Sequence, residues 1–247
     1  MAASGFTGIG IGLPDLLAAR KTIGYGGLRE LIAEAGLTRT EVEFLGDWFA
    51  PAGPARSDSD RDRAALLDAA ESLGAHHIKL GGGAADAPAD TDTVLTELQR
   101  LGDEASACGT RIALEPGADS ALADYPRTFG LVAELDHPAV GMMLDIWHLF
   151  RVGLDYTTLP ELVRPQDIVA VELSDGLPVP IGSIFEDTFD HRLLPGKGAF
   201  DVRSFVAEVR KLGFDGPWGL ELMSDELRRM PVPQVLDEAR DAALAVL

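Results

Sequence analysis

The chain has 247 residues, of which 46% are hydrophobic; it carries a single cysteine, Cys108, and a formal charge of −19. That length and apolar content suit one large α/β domain and exclude a disulfide-built scaffold, and no run of about 18 apolar residues marks a membrane span. A net field this negative repels a phosphate backbone and no basic cluster offsets it, so nucleic acid is not an expected partner.

Short apolar runs alternate with longer helical patterns along the chain. Strands are predicted at 8–13 (GIGIGL), 41–45 (EVEFL), 77–81 (HIKLG), 111–115 (RIALE), 141–145 (GMMLD), 168–173 (IVAVEL) and 217–222 (PWGLEL). Between them, helices are predicted at 27–36, 57–74, 91–109, 126–136, 200–213 and 231–247, on Ser, Thr, Asp or Pro at their starts and Gly at several ends. A strand plus a helix recurring about every 30 residues means β/α units on a parallel sheet. The first strand is not followed by a glycine-rich dinucleotide fingerprint, and GGGAADAP at 81–88 lacks the Lys-Ser/Thr of a phosphate loop, so a doubly wound nucleotide fold loses support. The expected architecture is a single domain over 1–247, a TIM (β/α)8-type barrel with seven readable strands. The stretch 174–195 is long for a β/α loop, shows no clear helix, and is expected to act as a lid.

Four of these strands end in or beside an acid: Glu115, Asp145, Glu172 and Glu221. One such residue reads as a solvated strand end. On four strands of a barrel, whose C-terminal ends open onto one face, they would converge, and the repulsion among them calls for a cation. Alternation in HHIKLG turns His77 and Lys79 inward, so Lys79 either pairs with an acid such as Glu43 or contacts substrate. Asp175 either orients a ligand or begins a loop, and Trp48 and Trp147 read as packing more than as a sugar-binding wall. The N-terminus, MAASGFTGIGIG, has neither the basic nor the apolar region of a secretory signal; with the lone cysteine this suggests a cytoplasmic protein.

The segments IALEP (112–116), MMLDIWHLFRVG (142–153), VELSDG (171–176), HRLLPGKGAFD (191–201) and GFDGPWGLELMS (213–224) resemble, in order and spacing, the xylose isomerase-like barrel superfamily of sugar isomerases and epimerases. The resemblance runs from about residue 5 to the C-terminus and matches the family's strands two to eight, which implies either a misplaced or truncated chain start or an absent first β/α unit. An absent unit would leave an exposed strand edge for a partner chain, expected as a homodimer, or a rearranged N-terminus to cover. The resemblance implies one divalent metal held by Glu115, Asp145, Glu172 and Glu221. Glu172 stands where many members have His or Gln, and the harder donor set favours Mn²⁺ or Mg²⁺ over Zn²⁺ or Co²⁺. It further implies that Glu115 and Glu221 move the proton and that His148 and Arg192 contact substrate; Lys79 joins them as a candidate contact.

The function this implies is a metal-dependent sugar or polyol isomerase or epimerase, acting by α-proton transfer through a metal-stabilised enediolate. A dehydratase of inosose- or dehydroshikimate-type keto-polyols begins with the same proton abstraction and stays open as the alternative. Either way the partner is a small sugar, polyol or keto acid. The superfamily's abasic-site endonucleases fit poorly, since they use several metals and many histidines and this chain has five histidines. A non-catalytic degenerate barrel is the contrasting class.

Overall fold

The structure, a computed structural model, describes residues 1–247. Its internal contacts fall into two compact units, 1–142 and 143–247.

The first unit opens with a 3-10 turn, Ala2–Ser4, and then runs β1 (Gly8–Gly12), α1 (Leu13–Thr22), α2 (Gly24–Glu34), β2 (Arg39–Leu45), α3 (Pro54–Leu73), β3 (Ile78–Gly81), α4 (Thr91–Ala107), β4 (Ile112–Glu115), α5 (Tyr125–Leu135) and the start of β5 (Val140–Asp145). The second continues from the end of β5 into α6 (Ile146–Arg151), the single turn α7 (Leu159–Leu162), β6 (Ile168–Leu173), α8 (Ile184–Asp190), α9 (Val202–Lys211), β7 (Trp218–Leu220), α10 (Asp225–Arg228) and α11 (Val232–Val246). The seven parallel strands follow chain order in the sheet. This is the seven-stranded TIM-type α/β architecture that the β/α rhythm predicts. No helix is long and apolar enough to cross a membrane.

The helices form where caps and an apolar face coincide. Asp90 caps α4 by accepting from Asp92 N, and Asp124 caps α5 by accepting from Arg127 N. Val94, Leu98, Leu101 and Ala105 lie at helical spacing on α4, and all are buried. β3 and β4 are buried along their whole length, as strands of a parallel sheet covered by helices must be.

Several elements depart from the sequence expectation. The N-terminal helical region is two helices, α1 and α2, where one helix over 27–36 is expected. α1 buries only Leu16 and follows β1 without a break, so it has no apolar stripe to announce it. The six residues of α6 are too few to show a period. The segment 174–195, expected to lack a helix, contains α8. Its start is set by a capping box in which Ser183 Oγ accepts from Glu186 N and the Glu186 carboxylate accepts from Ser183 N. β7 ends at Leu220, one residue short of Glu221, although Glu221 N still donates to Leu173 O at 3.3 Å.

Leu66 of α3 is fully buried. Replacing it by Ala removes apolar contact and leaves a cavity, so L66A is expected to lower unfolding free energy by about 2–5 kcal/mol, read by urea denaturation. A loss well under 1 kcal/mol would mean that α3 is not packed as described.

Candidate functional site

In the second unit the candidate ligands come from three consecutive strand ends. Asp145 closes β5, Glu172 lies near the end of β6, and Glu221 follows β7. Asp145, Glu172 and Glu221 each offer a carboxylate oxygen within 4.8 Å of the others. Asp145 is held in place as the cap of α6, its Oδ1 accepting from Trp147 N at 2.8 Å. Glu172 faces Gly219 across the β6–β7 register, and a Cβ at Gly219 would stand 3.0 Å from Glu172 Cγ, so the glycine makes room for the acid.

Arg192 lies among these acids with no exposed surface. Its Nη1 donates to Asp145 Oδ2 at 2.7 Å, its Nη2 lies 2.7 Å from Glu221 Oε2, and its Nε donates to Thr188 O at 3.1 Å. The guanidinium also stacks on the buried ring of Trp147, 5.1 Å from its centroid. Asp145 is fully buried and Glu221 largely so, and carboxylates this close need a counter-charge, which Arg192 supplies. His148, on α6, is buried with Nε2 3.9 Å from Asp145 Oδ2. Burial, with Asp145, Asp175 and Asp201 adding to it, pushes the Tyr156 phenol above its ordinary range, so it stays protonated.

The segment expected to act as a lid is tied down by residues of α6 and α10. Arg151 donates from Nε and Nη2 to Asp187 Oδ2 at 3.0 and 2.6 Å and from Nη1 to Leu177 O at 2.8 Å, while stacked over Trp147. Arg228 donates to Phe189 O at 2.8 Å and pairs with Asp190. Arg151 and its clasp on Asp187 went unread in the sequence; the available signal was an arginine inside the MMLDIWHLFRVG segment. Asp175 takes the second of its two readings. Its carboxylate accepts from the backbone N–H of Gly176, Gly196 and Phe200 and so shapes the loops.

In the first unit, alternation places the charged residues as expected. Lys79, 2% exposed, lies 3.2 Å from Glu43 and 3.5 Å from Glu115, which closes β4. His77 lies 3.2 Å from Glu41. β1 contributes almost no side chain here: a Cβ at Gly10 would stand 3.0 Å from Glu41 Oε1 and 3.2 Å from Glu43 Oε1. Burial, then His76, Lys79, Arg39 and Arg111, push the His77 imidazole down to about 3, outweighing the nearby Glu41 carboxylate. Trp48 is packed in, donating Nε1–H to Gly81 O at 2.7 Å.

Three close carboxylate oxygen donors form a donor set suited to a divalent cation. The family model for xylose isomerase-like TIM barrels matches residues 1–245, and the chain belongs to that family. It is 30% identical to the 3-dehydroshikimate dehydratase of Pseudomonas putida over 95% of this chain and 36% of that protein. It is 25% identical to the inosose isomerase of Bacillus subtilis over 62% of this chain and 54% of that protein. Among solved structures, a xylose isomerase-like TIM barrel/4-hydroxyphenylpyruvate dioxygenase fusion protein superposes with a TM-score of 0.88 at 26% identity, covering 99% of this chain and 39% of the other. The chain thus spans little more than a third of the dehydratase and of the fusion protein, and about half of the isomerase.

Two predictions follow from the charges. Arg192→Ala leaves Asp145 and Glu221 without their buried counter-charge and is expected to lower stability by about 3–5 kcal/mol. Mn²⁺ should then raise the melting temperature of this variant more than that of the parent, because the cation replaces the lost charge; equal shifts would place cation binding elsewhere. His77 stays neutral in the folded chain while the unfolded chain takes up a proton below its ordinary pKa near 6.5. Stability is therefore present above that pH and is lost as pH falls from about 6.5 toward 3. H77Q should flatten that decline in a urea-melt series, and an unchanged slope would show that His77 does not carry it.

Proposed function

We propose that this chain is a divalent-metal-dependent enzyme that removes the proton next to a ketone in a small cyclic polyol or keto acid. The observation that carries the reading is the convergence of the Asp145, Glu172 and Glu221 carboxylates at successive strand ends. In this reading Glu115, at the end of β4, is the fourth ligand, and Mn²⁺ or Mg²⁺ is the preferred metal. The cation, when bound, would stabilise negative charge developing on a substrate oxygen.

The chain's own residues do the rest. Glu115 and Glu221 are the proton-transfer pair: one takes the α-proton, and the other returns a proton to carbon or delivers it to a leaving hydroxyl. His148, Arg192 and Lys79 are proposed donors to substrate oxygens. The segment 174–195 closes the site from water. Its ties to Arg151 and Arg228 support a lid that is held rather than loose.

Isomerisation, epimerisation and dehydration share this first step and part at the second. In an isomerase the proton comes back to a carbon. In a dehydratase the β-carbon–oxygen bond breaks, the hydroxyl takes a proton, and water leaves. The dehydratase match, which spans 95% of the chain against 62% for the isomerase, supports dehydration as the second step. A cyclohexenone substrate that loses water can then tautomerise to an aromatic ring.

The test uses protein stripped of metal and reloaded with Mn²⁺, offered 3-dehydroshikimate and an inosose in deuterated water. Dehydration of the first is expected to appear as a growing aromatic absorbance. E115Q and E221Q should each lower kcat by about 10²–10⁴-fold and reduce bound Mn²⁺ in elemental analysis. Failure of both substrates to exchange any proton with solvent would sink the proton-transfer reading.

A further inference from the structure

β2 begins with strict alternation. Thr40 and Val42 are buried on one side, while Glu41 and Glu43 face His77 and Lys79 on the other. The pairing of β2 with β3 then shifts register between Val42 and Leu45. Leu45 is buried and Phe44 is not: this large apolar side chain is 49% exposed although it belongs to a strand.

The place of the Phe44 ring is set by Gly81. A Cβ on Gly81 would stand 2.1 Å from Phe44 Cζ, so the ring occupies the space in which a side chain at 81 would lie. Side chains two apart on a strand share a face, so this is the face to which Lys79 points. Gly81 is also the register partner of Glu115 across β3–β4, and in-register parallel neighbours present their side chains on the same side. The Cζ tip of the Phe44 ring therefore sits over bare backbone at Gly81, with about half of the side chain open to solvent, on the strand face that also carries Lys79 and Glu115.

Unlike the chain's other exposed apolar side chains, this ring is placed by a glycine on the strand face that carries Lys79 and Glu115, with half of its surface left to cover. We propose that Phe44 is the platform on which the flat, apolar face of a ring substrate lies, and that Gly81 exists to let the ring take that position. The substrate class this selects is a six-membered carbocycle with one apolar face and hydroxyls on its rim, in preference to an open-chain sugar. Stacking fixes the plane of the substrate, and a fixed plane presents one face of its α-carbon to Glu115. The proposal rests on the reading of Glu115 as a proton-transfer residue, and it adds the surface that orients the substrate for it.

The experiment measures binding of shikimate, a cyclohexene carboxylate without the ketone, to the Mn²⁺-loaded full chain by calorimetry, with gluconate as a ringless polyhydroxy carboxylate. F44A should weaken shikimate by about tenfold and leave gluconate unchanged, and F44Y should stay within about twofold of the parent. G81A, which drives a methyl into the ring's position, should weaken shikimate as F44A does. Thermal melts of each variant confirm that it is folded. F44A protein that binds shikimate as tightly as the parent overturns the proposal, and so does a parent protein that does not bind shikimate at all. If shikimate binds through Phe44 while neither 3-dehydroshikimate nor an inosose is turned over, the platform stands and the proposed reaction falls. If turnover occurs, F44A should raise KM for 3-dehydroshikimate and also lower kcat, because the substrate plane is no longer fixed for Glu115; an unchanged kcat overturns the orienting role.

Discussion

Buried carboxylates need buried cations, and the strand ends within each unit depend on that constraint. In the second unit Arg192 puts its guanidinium between Asp145 and Glu221. In the first, Lys79 puts its ammonium between Glu43 and Glu115. Neither cation has appreciable exposed surface. An isolated charge at Arg192, Lys79, Asp145 or Glu115, all buried, would cost several kcal/mol, so each depends on its partners. The choice of cation differs with geometry. Arginine's planar fork reaches Asp145, Glu221 and the Thr188 carbonyl at once, whereas lysine acts as a point charge between two acids on neighbouring strands.

The second ingredient is space. Parallel strands buried on both faces leave little room for long acidic side chains, and glycines on the adjoining strands supply it. Gly219 faces Glu172, Gly10 faces Glu41 and Glu43, and Gly81 gives up its side-chain volume to Phe44. The acids therefore extend from strands whose partners are nearly bare. Loops then finish the arrangement. Asp175 gathers three backbone N–H groups from Gly176, Gly196 and Phe200, and Arg151 holds Leu177 and Asp187. The segment 174–195 is thus fastened by a buried ion pair and a capped helix.

Much of this is legible in the chain alone. The β/α rhythm shows because buried parallel strands are short apolar runs and amphipathic helices repeat a 3.6-residue stripe. The acids at 115, 145, 172 and 221 show because a carboxylate at the end of an apolar run stands out. The inward turn of His77 and Lys79 follows from period-2 alternation, and the same alternation in β2 offers Glu43 as a partner for Lys79; the approach of His77 to Glu41 appears only in the structure. Elements below about two turns leave no such trace. α1 has no apolar stripe, α6 is six residues long, and α8 announces itself only through Ser183 and Glu186.

What the amino-acid order determined is which residues are chemically exceptional: the strand-end acids, the lysine within a strand, and the arginine before PGKG. Tertiary structure alone decided how they are used. Arg192 is 47 residues from Asp145 and 29 from Glu221, and no local pattern predicts that one guanidinium will meet both. Phe44 is exposed over Gly81 where the pairing of β2 with β3 shifts register, which nothing in EVEFL itself marks. Local propensity acts over a few residues, whereas charge compensation and register are set by neighbours brought together from across the chain.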